Sequence, residues 1–240
     1  MWDRVVRADF ASANVAVSVT NPDRAQEDGP KVNRIAALAS SVPISAVAVV
    51  AAVGIGVFVV LGILQRAAFP DWALANLDSE ISIATLFAAA LLWATAFWWL
   101  LVAMTVRPRS PATWVWVVVL AWLALDEGNA IHEKLERWLE TDWQLLYIPV
   151  MGIAALAWWG VVRRYRSQPP IAALLVAGAA VWVAVLLLEL VQNWGGEPVQ
   201  AAIYVPTMIT EEALEMIGSA VLLIAGMLVL QKAVDPGESI

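Results

Sequence analysis

Six long apolar runs separated by short polar stretches constrain this chain more than any other feature of its sequence; they lie at about 43–64, 81–106, 114–125, 143–162, 171–192 and 206–230. A helix rises about 1.5 Å per residue and the bilayer's hydrocarbon core is about 30 Å thick, so roughly 20 apolar residues make one crossing. Inside lipid every backbone N–H and C=O must find a partner within the protein, which leaves helices and closed barrels as the spanning structures. Continuous apolar runs, rather than alternating ones, select helices. The composition agrees: 61% of residues are hydrophobic and 15% charged, against about 45–50% and about 25% in soluble domains. The expected fold is therefore all-α, an integral membrane bundle of six transmembrane helices.

Start and stop residues support the segmentation. Pro43 opens the first run, Asp78, Ser79 and Glu80 precede the second, and Ser110-Pro111 opens the third. Pro169-Pro170 opens the fifth, and Gly195-Gly196 closes it. Residues 1–42 hold scattered charges and no long apolar run; Asp3 and Asp9 interrupt any signal-peptide pattern. The expected organisation is a cytoplasmic tail over 1–42, with an interfacial helix over about 31–42, a six-helix domain over 43–231, and a cytoplasmic C-terminal tail over 232–240.

Basic residues accumulate in cytoplasmic loops. With the N-terminus inside, that side holds Arg4, Arg7, Arg24, Lys31, Arg34, Arg107, Arg109, Arg163, Arg164, Arg166 and Lys232, whereas the outside holds Arg66, Lys134 and Arg137. Both termini are therefore expected in the cytoplasm, in a cell (inner) membrane. Tryptophans fall into two groups that fit interfacial belts: Trp98, Trp99, Trp114, Trp116, Trp158 and Trp159 at the inner ends, and Trp72, Trp138, Trp143 and Trp194 at the outer ends.

Several function classes are excluded. The net charge of −7 argues against nucleic acid as a partner. Cysteine is absent, and histidine occurs once, at His132, so thiolate chemistry and multi-histidine centres are unavailable to a single chain. No lysine lies mid-span, which removes a retinal Schiff base. The expected partners are the lipid bilayer and a second copy or another subunit of a membrane complex.

The acids carry the chemical signal, because an ionisable residue within a bilayer is costly and is a functional candidate by default. The third run continues as Asp126-Glu127, then His132-Glu133; the fifth ends with Glu189 and Gln192; the sixth begins with Glu211, Glu212 and Glu215, before Gly218. Counting about 20 residues along each span places all three groups at one depth, the outer third of the bilayer, with Asp126 and Glu127 about 8–9 Å inside and Glu215 about 6 Å inside. On one continuous third helix, Asp126, Asn129, His132, Glu133 and Glu136 would share a stripe and Glu127 would point elsewhere. Carboxylates gathered at one depth away from bases must share protons or surround a cation.

Two readings follow. In the first, Asp126, His132, Glu133, Glu189, Glu211 and Glu215 bind a divalent metal ion, and Glu127 or Glu212 is the spare carboxylate for acid–base work in hydrolysis or oxidation of a membrane-proximal substrate. Oxygen ligands with one imidazole suit Mn, Fe, Zn or Ca. Tyr147, Asn193 and Thr210 are candidates for supporting hydrogen bonds. In the second, the carboxylates serve a proton- or cation-coupled transporter. A non-catalytic subunit of a membrane complex is the third class. At these residues, Asp126-Glu127 with His132-Glu133 and Glu211-Glu212-x-x-Glu215 with Gly218, the chain resembles a group of bacterial multipass membrane proteins, a resemblance that covers about two of the six helices and implies no particular activity. The intramembrane CAAX-type proteases are set aside, because their Glu-Glu-x-x-x-Arg motif needs arginine where Met216 stands. Ceramidase-like membrane hydrolases need more histidines than this chain has.

Overall fold

A computed structural model of the chain describes residues 29–69, 71–77, 82–192 and 197–234. The expected caps Asp78, Ser79 and Glu80, the Gly195-Gly196 stop, Asn193, Trp194 and most of both tails lie outside the described residues. Among the described residues the fold is all helical. Helix α1 spans Gly29–Ser40, α2 Ile44–Ala68, α3 Ile83–Thr105, α4 Pro111–Asn129, α5 Ile131–Leu139, α6 Trp143–Tyr165, α7 Pro169–Gln192 and α8 Glu197–Val234. A 3₁₀ turn, Ala73–Ala75, lies between α2 and α3. Five of these helices are long and apolar enough to cross a membrane, and α4 with α5 make a sixth crossing if the bent pair is one span.

Local chemistry sets the helix starts. The Ser82 hydroxyl accepts from the Thr85 N–H at 3.0 Å and caps α3, and the Asp142 carboxylate accepts from the Gln144 N–H at 2.9 Å at the start of α6. Each satisfies a donor that the first helical turn leaves over. Pro111 stands in the first turn of α4, where its missing N–H costs nothing.

Helices α3, α4, α6, α7 and α8 close a ring, each touching the next, and α2 leans on α8 from outside. At one end the ring is filled by apolar side chains from all five helices, among them Trp99, Leu120, Val161, Leu175 and Leu222. Helix α1 folds beneath that end, where the Gln231 amide of α8 donates to the Ser40 carbonyl at 3.0 Å. The expectation of two tryptophan belts holds only in part. Trp138 and Trp159 are exposed as belt residues should be, but Trp99 is fully buried and donates to the Leu222 carbonyl at 3.0 Å. Trp158 likewise donates to Leu175 of α7. These indoles tie helices together because the N–H must find an acceptor once its ring is buried.

Two expectations about helix continuity are corrected. The third run is not one straight helix: α4 and α5 meet at a bend of 73°. The break falls at Ala130, whose φ of 47° and ψ of 50° are left-handed. Asp126 holds the break, its two carboxylate oxygens taking the His132 backbone N–H at 2.8 Å and meeting the His132 Nδ1 at 3.2 Å. The predicted stripe from Asp126 to Glu136 therefore does not exist. Asn129 turns back to the Leu125 carbonyl at 2.8 Å, and Glu136 is exposed on α5. The second correction concerns α8, which begins at Glu197 rather than near Pro206. Pro206 stands inside it, and hydroxyls bond to neighbouring carbonyls, Thr207 to Ile203 at 2.8 Å and Thr210 to Pro206 at 2.7 Å.

A left-handed alanine carries a strain of about 1 kcal/mol that glycine would not. Ala130→Gly is therefore expected to leave the fold intact and to stabilise it by about 0.5–1 kcal/mol, read as a higher unfolding midpoint in detergent. A lower midpoint would mean that the methyl group's burial matters more than the backbone conformation.

Candidate functional site

The up-and-down order of the ring brings the C-terminal ends of α4 and α7 together with the N-terminal ends of α3 and α6 and the first half of α8. They enclose a cavity of about 240 Å³. From α4 come Asp126 and Glu127, from α5 His132 and Glu133, from α7 Glu189 and Gln192, and from α8 Glu211, Glu212 and Glu215. All eight ionisable residues singled out from the sequence thus line one space. Glu127, which a helical-stripe argument sent elsewhere, lines it too, because the cavity wraps the end of α4 instead of touching a single face. Thr210 lines nothing here and bonds to its own helix.

The acids are held by specific contacts. Asp126 is buried and carries the α4–α5 bend described above. The His132 ring lies against the Trp143 indole with centroids 5.1 Å apart, and the Trp143 Nε1 donates to Glu189. A relay of contacts therefore runs from α4 through α5 and α6 to α7. The Gln192 amide donates to Glu211 and joins α7 to α8. Glu215 faces the charges of Glu127, Glu212, Glu211 and Glu189. At the rim, Arg137 of α5 reaches Glu133 at 3.3 Å. Among the described residues, no lysine or arginine lines the cavity itself.

Small residues let the walls approach. A side chain at Gly218 would begin 2.8 Å from the Trp182 ring, and one at Gly178 would begin 2.7 Å from Leu222. At Gly218 an indole from α7 is therefore seated directly on α8.

Some wall residues escape the sequence reading. Trp143, read as a belt residue, is a wall residue that binds Glu189; Trp182 and Tyr204 also line the cavity. Their spacing carries a signal. Trp182 stands seven residues before Glu189, and Tyr204, Met208, Glu211 and Glu215 follow the 4-3-4 spacing of one helix face. Beside the cavity, Tyr147 of α6 is buried next to Asp126.

The geometry distinguishes lining from coordination. Among the described residues, no three acids or histidine converge closely enough to hold a bare metal ion. The carboxylates stand around a chamber wide enough for a larger occupant. The family model for DUF8692, a domain of unknown function, matches residues 35–230. The chain belongs to that family. The match takes in every cavity residue and all of the ring except the last turn of α8. No curated protein and no solved structure matches the chain.

Proposed function

We propose that this integral membrane protein binds a cation in the carboxylate-lined chamber. The observation that carries the reading is the charge of the wall: among the described residues, seven carboxylates and one imidazole stand around about 240 Å³, with no lysine or arginine lining it. A low-dielectric surround strengthens each attraction to a positive guest. The inorganic candidates are Mn, Fe, Zn and Ca, because the donors are hard oxygens with one nitrogen. Since the carboxylates do not converge, such an ion enters with part of its water shell or draws Glu211, Glu215 and Asp126 inward as it binds. Bound metal beside a spare carboxylate, Glu127 or Glu212, supports hydrolysis or oxidation of a membrane-proximal substrate. With the positively charged loops in the cytoplasm, the chamber opens on the outer side.

The apolar filling at the opposite end of the ring favours a binding chamber over a conduit. Beneath the chamber the Thr95 hydroxyl is spent on the Leu91 and Ser219 carbonyls, at 2.7 and 3.1 Å, and the Ser219 hydroxyl on the Glu215 backbone carbonyl at 2.8 Å. A transporter needs a second polar station on that side.

The test uses purified protein stripped with chelator, titrated with each metal and followed by thermal unfolding and elemental analysis. A saturable rise in midpoint with near-stoichiometric metal is expected for at least one ion, as mass action requires of any ligand that binds the folded state. No shift and no retained metal across the series would overturn the metal reading.

A further inference from the structure

A second cavity adjoins the chamber. It encloses about 90 Å³, and its walls are almost wholly carbon: Phe58 and Leu61 of α2, Trp72 and Leu74 around the 3₁₀ turn, and Ile83 and Ala84 at the start of α3. Leu77 lines both spaces. It clusters with Ala84 of the apolar pocket and Met208 of the acidic chamber, so one leucine side chain is the partition between them. The partition is closely seated, because any side chain at Gly62 would overlap Leu77.

From this juxtaposition we infer that the occupant is a cationic amphiphile, an organic ammonium group in the acidic chamber joined to an apolar chain in the Leu77 pocket. The inference rests on the cation reading given above and names the class of cation. Two observations separate an ammonium from a metal ion. The carboxylates stand apart around the wall instead of converging, which suits a guest of several heavy atoms. Three aromatic rings, Trp143, Trp182 and Tyr204, share the wall with the acids, and ring faces within about 6 Å attract an organic cation. The apolar pocket then explains the tail: a bare ion leaves it unused, whereas an alkyl chain fills it once Leu77 turns aside.

The experiment compares probes on the full chain in lipid nanodiscs. Tetramethylammonium tests the head alone, hexyltrimethylammonium the head with a tail, hexyl sulfate the tail with the wrong charge, and Mn and Ca the metal reading. Binding is read by thermal shift and by Trp fluorescence. Hexyltrimethylammonium is expected to bind at least tenfold more tightly than tetramethylammonium, since about two buried methylene groups suffice for that ratio. Hexyl sulfate is expected to produce no saturable shift. Leu77→Ala, which removes the partition, is expected to raise the affinity ratio of hexyltrimethylammonium over tetramethylammonium, and an unchanged ratio would overturn the tail assignment. Equal affinity for the two ammonium probes would overturn the tail assignment. Binding of Mn or Ca without either ammonium would overturn the inference and leave the cation site standing. Failure of every cation would sink both.

Discussion

Glu215→Gln is expected to weaken cation binding at least tenfold while leaving the unfolding midpoint of the cation-free protein equal or higher. Glu215 faces four other carboxylates, from α4, α7 and its own helix, so it stands where the attraction for a positive guest is concentrated. A unit charge about 5 Å from the guest contributes about 3 kcal/mol at an effective dielectric of 20. Hydration of the guest and adjustment of the remaining carboxylates offset part of that, and tenfold corresponds to about 1.4 kcal/mol. The substitution keeps the side chain's shape and removes one member of a like-charged group, so the fold has no reason to weaken. Thermal titration with Mn, Ca and an ammonium probe measures both effects. Glu136→Gln is the control, because Glu136 is exposed on α5 and does not line the chamber. An unchanged cation-dependent shift in Glu215→Gln would remove the chamber from the function.

Trp99→Ala is expected to be the most destabilising single change, by about 3 kcal/mol. Trp99 is fully buried in the apolar filling of the ring, its indole lies on Gly226 of α8, and its N–H bonds to Leu222. Large-to-small changes in a core cost about 3–5 kcal/mol for Trp. The lower value applies here, because transfer from lipid to protein gains little and the loss is mainly of packing. Trp99→Phe separates the contributions: it keeps most of the ring and gives up the hydrogen bond, and is expected to cost about 1 kcal/mol. Reversible unfolding in mixed micelles measures both. A Phe variant as unstable as the Ala variant would show that the hydrogen bond, and not the packing, joins α3 to α8.

The bundle was legible because lipid imposes it: apolar length alone implies spanning helices. The gathering of the acids was legible for a related reason, since alternating directions put the end of α4, the end of α7 and the start of α8 at one depth. Side-chain direction was not legible where the backbone departs from a straight helix. The stripe argument carried the phase of α4 past residue 129, and nothing in Gly128-Asn129-Ala130 announces that alanine will take the left-handed conformation. The cause is tertiary: Asp126 turns its carboxylate onto His132 and closes the bend. Trp143 was misread because an indole at a helix end fits an interfacial belt as well as it fits a wall, and only its contact with Glu189 tells them apart. The second cavity left no sequence signal, since its walls are ordinary apolar residues.

The uneven apolarity of the helices has a consequence for biogenesis. Helices α2 and α7 have mean hydropathies of 2.9 and 2.8 over their best windows, whereas α4 qualifies as a crossing only jointly with α5, and α8 brings three glutamates into its apolar stretch. The strong inserters can enter lipid singly as they leave the ribosome. The acid-bearing helices gain from neighbours already in place, and α3, with which both α4 and α8 pack, is made before either of them. Chain order thus delivers a scaffold before the costly helices arrive, and the chamber is completed last, when α8 docks. A truncation before α8 would leave the acids of α4 and α7 facing lipid, a species that membrane quality control should remove.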